Sequence, residues 1–433
     1  MSPKSFLASK QAALIRSLPE RATLCIFAPK PSIRNYDVEH PFRQHSDFYY
    51  LTHQELSPAI WAIQKAGNKT KRVLFYTPKP EVEQRWVGKD RSLKDLQQES
   101  TWDEASPLAS FDHWLEEALN EALHLYLPFE WLPKLPSALW TLIKQSSAKH
   151  HRRGAMPPVI HDTYELLAPL RQIKSSPEIA ALRKACEVSS KAHIAVMQQA
   201  HPGMSESQMA GLFESVCHSH GSHRLAYPCI VASGSNTTVL HYMPSRKKPK
   251  DTDIILMDAG CEWDYFASDI TRVFPMGKKF TPPQKDIYEA VLEIQKKIIS
   301  LVRPGLRHQH LQEQTIRLTT QALVDLKVLK GSVDSLIKAK AYEEYYYHGV
   351  SHFLGMDVHD TGPYRESSGG SVLLKEGMVM TVEPGIYFFK KGGKYLGIGV
   401  RIEDDILVTA DGHEILSHKT PKEVRDIESL RQG

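Results

Sequence analysis

Hydrophobic positions change their spacing along this 433-residue chain, and the change marks two kinds of architecture. In the first third, short apolar runs alternate with helical stretches. Residues 5–17 carry apolar side chains at helical spacing, and 22–28 follow as a run of strand-forming residues. The aromatic segment 46–52, entered from a polar stretch, reads as a strand, as do 59–64 and 72–77. Helical patterns at 93–98, 111–123 and 131–145 alternate with these strands and predict a small α/β domain. The basic run 150–154, ahead of Met156-Pro157-Pro158, reads as a solvated linker. A domain boundary is expected between it and Ser175, giving units 1–172 and 173–433.

Beyond Ser175 the helices lengthen. Ser175 stands at a cap, with Pro177 in the first turn and Glu178 to meet the helix dipole. Ile179, Leu182, Cys186 and Val196 continue its apolar stripe. Ser205 and Gln208 form a capping box, and Met209, Leu212, Phe213 and Val216 repeat at i, i+3, i+4, i+7 until Gly221. Thr281-Pro282 opens a third helix, with Ile287, Val291, Ile294 and Ile298 on one face until Pro304-Gly305. A fourth runs through Ile316 to about Leu329. Helices and hairpins come in blocks and not as βαβ units. The larger domain is therefore expected to be α+β, an antiparallel sheet covered by helices on one side.

Composition narrows the function classes. With 41% hydrophobic and 24% charged residues the chain has the make-up of a soluble globular protein. A net charge of +4, spread over interspersed acids and bases, supports neither nucleic-acid nor membrane partners. The five cysteines, Cys25, Cys186, Cys217, Cys229 and Cys261, show no paired spacing, so a reducing compartment is expected. Cys261 reads as a small strand residue and not a nucleophile. The amino terminus lacks a signal-peptide pattern, and no stretch approaches the roughly 20 apolar residues of a membrane span. A cytoplasmic location is the expectation.

The chemistry concentrates in two hairpins. In 256–272 an apolar run ends at Asp258 and the chain returns through Tyr265 and Phe266 to Asp269. A tight loop at Trp263-Asp264 would set the two aspartates directly opposite each other. In 379–405 the turn signal Gly392-Gly393 lies midway between Glu383 and Glu403, which would also face each other among apolar strand residues. Any one of these acids is ordinarily a surface or turn residue. Two buried carboxylate pairs, by contrast, repel unless protons or metal ions lie between them. With a histidine from 348–360, four carboxylates make an oxygen-rich donor set suited to Mn²⁺, Fe²⁺ or Co²⁺. Their charge matches two divalent cations, which suits hydrolysis by a bridging hydroxide.

His348 and His352 are four apart, but Gly349 and the missing glutamate argue against a helical His-Glu-x-x-His zinc motif. His352 is assigned as the ligand. His348 and His359 are cast as groups that bind substrate or move protons, which neutral imidazole does near pH 7. Arg401 shares the strand face of Glu403, where it either orients a carboxylate, binds substrate or pairs with a neighbouring acid. Trp86 reads by default as a packed loop residue.

Asp258, Asp269, His352, Glu383 and Glu403 stand in the contexts MDAG, SDITR, HGVSHFLGMDVHD, VEPGIY and GVRIEDD. In that order they resemble the five metal ligands of the M24 pita-bread metallopeptidases, and most closely the aminopeptidase P branch. The segment Phe42-Arg43-Gln44-His45-Ser46-Asp47-Phe48-Tyr49-Tyr50-Leu51-Thr52 is similar to that branch's amino-terminal domain. The resemblance implies a creatinase/aminopeptidase-like (pita-bread) catalytic domain holding two divalent ions, most simply Mn²⁺, on a concave sheet face. It implies release of the amino-terminal residue from peptides with proline second, with His241 and His359 near the reacting carbonyl. Glu383 and Arg401 complete the expected catalytic set, and His348, Tyr387 and Trp86 the expected substrate contacts. A homodimer or homotetramer is implied, with the Asp37 loop available to a neighbouring subunit. An Xaa-Pro dipeptidase with the same ligands is the alternative, Ser351 favouring the aminopeptidase branch. Creatinase-like enzymes and non-catalytic scaffolds of this fold lack the full ligand set, and methionine aminopeptidases lack the long amino-terminal domain.

Overall fold

The computed structural model describes residues 3–432 except 68, 100, 135 and 136. It divides into two compact units, Met1–Leu170 and Arg171–Gly433.

The first unit is built on a six-stranded mixed sheet. Its order is Glu104–Ser106, Lys69–Tyr76, Ala59–Ala66, Ala22–Phe27, His124–Leu127 and Val159–Asp162. Phe27, Phe75, Phe111, Leu115 and Leu119 form its core, the last three from the amphipathic helix Phe111–Glu121. Three expectations are corrected here. The segment Ser46–Thr52 is a helix and not a strand, because Phe48, Leu51 and Thr52 form a buried i, i+3, i+4 stripe. Tertiary burial overrides the strand propensity of its aromatics. The single helix expected over 131–145 is split into a 3₁₀ turn, Phe129–Lys134, containing Pro133, and the helix Ser137–Arg152. The supposed basic linker is partly the last turn of that helix, where cations meet the dipole and His150 is buried against the Ser146 carbonyl.

The second unit packs four long helices, Ser176–Gln199, Glu206–Ser219, Pro282–Leu301 and His308–Asp325, with short antiparallel strands around one core. The expected capping box at Ser205 forms, its N–H donating to Gln208 Oε1 at 2.8 Å, and the expected cap at Ser175 is a capping box as well, its N–H donating to Glu178 Oε2 at 2.8 Å. Ile230–Ser233, Ile254–Asp258 and Thr271–Pro275 make one antiparallel set. Val379–Val382, Asp404–Val408 and His413–Ile415 make another, with Gly385–Tyr387 paired to Gly399–Arg401. All five cysteines are free and buried. Among the described residues, no helix is long and apolar enough to cross a membrane.

The hairpin centred on Gly392-Gly393 has the register its glycines predict. Gly385 pairs with Arg401 and Val379 with Leu407, on the same line that puts Glu383 opposite Glu403. The other hairpin is shifted. Its tight turn is Asp264-Tyr265, both at positive φ (47° and 70°), as a type I′ turn requires. Asp258 therefore pairs with Thr271, and Asp269 lies diagonal to it. A shift of two residues keeps every side chain on its original face, so the two aspartates still meet. Gly260 is needed at this crossing, since a Cβ there would stand 1.8 Å from the Ser268 carbonyl oxygen.

Candidate metal centre

The acidic residues sit where strands end. Asp258 closes Ile254–Asp258, Asp269 precedes Thr271–Pro275, Glu383 follows Val379–Val382, and Glu403 separates Gly399–Arg401 from Asp404–Val408. His352 lies on a non-helical segment zipped to strand Val379–Val382, with the Thr381 N–H donating to the His352 carbonyl at 2.9 Å. The Glu383 N–H donates likewise to Val350, at 2.8 Å. All five line one cavity of about 380 Å³, together with His241, His348, His359, Arg401, Ser351 and Tyr364.

One ligand atom each from Asp269, His352 and Glu403 lies within 4.8 Å of the others. His352 Nε2 is 3.3 Å from Asp269 Oδ2 and 3.6 Å from Glu383 Oε1. Burial raises Asp258, Glu383 and Glu403, and the charges of neighbouring carboxylates add to it. Glu383 reaches about 7, and Glu403 lies well above the usual carboxylate range. Burial works the other way on His352, but hydrogen bonding to Asp269 and the charges of Asp269 and Glu383 outweigh it and hold the ring at about 9. A buried, oxygen-rich cluster with one imidazole, in tension without counter-charge, fits divalent cations.

Groups that carry no ligand atom brace this cluster. Tyr227 Oη is 2.6 Å from Asp258 Oδ1 and 2.5 Å from Asp269 Oδ1, so it ties the two aspartates together. Thr271 donates to Glu403 at 2.6 Å and accepts from Arg401 Nε at 3.1 Å. Asp405 accepts the Asp269 N–H at 3.0 Å. Asp360, beside His359, is gripped by Arg171 at 2.5 Å and Lys174 at 2.9 Å, with all three side chains buried. None of these roles was legible in the sequence, because each residue sits far along the chain from the group it holds.

Arg401 pairs with Asp258 at 2.5 Å, both side chains being largely buried. Tyr387, expected to touch substrate, is instead fully buried behind the cavity. Its hydroxyl accepts from Arg401 at 3.2 Å and donates to His348 Nε2 at 2.9 Å. The other His348 nitrogen donates to the Gly349 carbonyl at 2.7 Å, so the ring is held with both nitrogens engaged. Burial pushes that ring down to about 4, and it is neutral at pH 7. His359 packs edge-on against His352 with ring centroids 4.3 Å apart, and burial lowers it too. Trp86 is 86% exposed on the helix Glu81–Val87 of the first unit, so it is not the packed loop residue expected.

A carboxylate–imidazole cage at the ends of paired antiparallel strands, in a helix-covered α+β unit, defines a metallohydrolase of the pita-bread class. The chain belongs to metallopeptidase family M24, which matches residues 180–410, and the aminopeptidase P N-terminal domain matches residues 7–126. The Xaa-Pro aminopeptidase of Haemophilus influenzae is 36% identical over 99% of this chain and 97% of its own length. Among solved structures, the aminopeptidase PepP of Pseudomonas aeruginosa is 38% identical with a TM-score of 0.93, covering 100% of this chain and 98% of that one. The zinc-substituted Escherichia coli aminopeptidase P in complex with product is 33% identical, again at a TM-score of 0.93, covering 100% and 98%.

Proposed function

We propose that this chain is an Xaa-Pro aminopeptidase that works with two divalent cations, Mn²⁺ for preference, and releases the amino-terminal residue from peptides with proline second. The observation that carries the reading is the convergence of Asp258, Asp269, His352, Glu383 and Glu403 on one cavity. It is joined by full-length similarity to enzymes named for that activity. Those five residues hold the metals, and the catalytic unit is assigned to 173–433. Bound cations would lower the pKa of an attacking water and polarise the scissile carbonyl.

The chain's own side chains supply the rest. Glu383, on the cavity wall, takes a proton from the attacking water. His241 and His359, on the cavity wall, donate to the oxyanion as the carbonyl carbon becomes tetrahedral. Arg401 fixes Asp258, and Tyr387 fixes both Arg401 and the neutral ring of His348, whose face lines the cavity. A cytoplasmic homodimer or homotetramer is proposed. Ile33 and Tyr36, flanking the Asp37 loop at 66% and 95% exposure, and Trp86 offer the apolar surface that assembly would bury.

The deciding experiment is a paired hydrolysis assay on chelator-stripped and Mn²⁺-restored protein. It compares a tripeptide with proline second against the matching Xaa-Pro dipeptide. Metal-dependent cleavage favouring the tripeptide is expected. Dipeptide preference would make the chain an Xaa-Pro dipeptidase, and cleavage of neither, with Mn²⁺ bound, would overturn the substrate class.

A further inference from the structure

Glu206 opens the helix Glu206–Ser219, and its fully buried carboxylate does no ligand work. It accepts six hydrogen bonds, all from neutral donors. On Oε1 these come from the Ser233 N–H (3.0 Å), the Ser233 hydroxyl (2.6 Å) and Asn236 Nδ2 (3.3 Å). On Oε2 they come from the Tyr242 hydroxyl (3.0 Å), the Ser245 N–H (3.1 Å) and the Ser245 hydroxyl (2.6 Å). Burial alone would raise this acid, but the bonds from Ser233, Ser245 and Tyr242 overcome it and hold Glu206 below the ordinary glutamate range.

What Glu206 ties together is informative. The helix start adds two backbone bonds, Glu206 N–H to the Lys247 carbonyl (3.1 Å) and Ser207 N–H to the Ser245 carbonyl (3.0 Å). One carboxylate oxygen thus grips the far end of the segment 239–245, and the other grips the turn Gly234–Thr238 that feeds into it. Between these anchors stands His241, exposed in a segment without regular structure, on the cavity wall and next to Tyr242. The same turn reaches the metal side: Thr237 Oγ1 accepts the Gly399 N–H at 2.9 Å, two residues before Arg401.

We infer that Glu206 is the positioning residue for His241, setting from outside the cavity where that imidazole stands relative to the reacting carbonyl. A loop residue has no secondary-structure ladder to hold it, so a multiply bonded buried carboxylate is what makes its position reproducible. The inference rests on the proposed role of His241.

The test is a double-mutant cycle on the Mn²⁺-loaded full-length chain, with the proline-second tripeptide as substrate. Glu206→Gln keeps the shape but turns one acceptor oxygen into a donor, which faces a backbone N–H on either side. The expected result is a kcat about 10- to 100-fold lower, with KM and Mn²⁺ content within about twofold. On a His241→Ala background the same change is expected to cost less than about twofold more. Tyr242→Phe, which deletes a single hydroxyl, is expected to lose about three- to tenfold and to collapse in the same way. It decides the matter if Glu206→Gln does not accumulate. Equal fold-losses on both backgrounds, or a Glu206→Gln enzyme at the parent rate, would overturn the inference. A His241→Ala enzyme as fast as the parent would overturn the role of His241 and this inference with it, an outcome distinct from additivity.

Discussion

Loading the metal centre must expel protons, and the structure fixes roughly how many. Four carboxylates crowded into one buried cavity cannot all stay charged without cations, so the metal-free protein stores protons there. Burial places Glu383 at about 7 and Glu403 well above its usual range, while Asp269 and Glu383 hold His352 at about 9 against the effect of burial. At pH 7 this amounts to about one proton on His352, about half a proton on Glu383 and up to one on Glu403. A ligand must be deprotonated to bind metal, so Mn²⁺ binding is expected to release about 1.5 to 2.5 protons. The sign follows directly: protons compete with metal, so affinity falls as pH falls. Between pH 6.5 and 7.5 the apparent affinity should rise by about 30- to 300-fold. Titration calorimetry of the chelator-stripped chain, in buffers of equal pH but different ionisation enthalpy, reads the proton number as a slope. A slope near zero would refute the reasoning, because it would mean that the ligands are already ionised and the carboxylates are screened by something other than protons.

Three further outcomes are expected. Chelation should lower the melting temperature: Mn²⁺ at 100 times its Kd stabilises by about 2.7 kcal/mol, or roughly 5–10 °C for a unit of this size, and an unchanged melting temperature contradicts the metal's structural role. Asp404→Ala should cost about 3–5 kcal/mol, since Asp404 bonds Arg272 (2.7 Å), Lys422 (2.6 Å), Gln295 (2.7 Å) and Ser417 (2.6 Å) and Arg272 is fully buried; thermal unfolding that shows a loss under about 1 kcal/mol would mean the pair is replaceable. His193 is buried, its Nε2 is 2.9 Å from the Ala259 carbonyl, and burial lowers it to about 3, so its folded-state pKa is depressed below that of the unfolded chain. Its contribution is therefore fully present above about pH 6.5 and lost as pH falls towards 3, about 3 kcal/mol of it by pH 4; His193→Gln should flatten the fall in melting temperature over that window, and parallel curves for variant and parent would exclude His193 as its source.

Much of the catalytic unit was legible because its signals are local. The helix cap at Ser175, the capping box at Ser205, the apolar stripe through Ile287, Val291, Ile294 and Ile298, and the Gly392-Gly393 turn each act within a few residues. Alternation along a strand then carries the register outward, so Glu383 and Glu403 could be set opposite each other from the turn alone. The same reasoning misplaced the turn at Asp264-Tyr265 by one residue. Neither residue is a glycine, and a positive φ at an aspartate and a tyrosine is stabilised by the surrounding sheet, not announced by the side chains. The aromatic segment Ser46–Thr52 failed for a related reason: its propensity is for strand, and its burial is that of a helix.

By itself, the sequence determined which residues could be ligands, which faces they share and how the long helices begin, because hydrophobic period, caps and turns are short-range properties. Only the tertiary structure decided what stands behind them. Tyr227 tying Asp258 to Asp269, Tyr387 withdrawn from the cavity to hold Arg401 and His348, and Glu206 gathering donors from residues 27 to 39 positions away are long-range contacts. A tyrosine or glutamate carries no local mark of the partner it will meet. Its role follows from chain closure and burial, which leave a polar group in the interior only where its hydrogen bonds are satisfied.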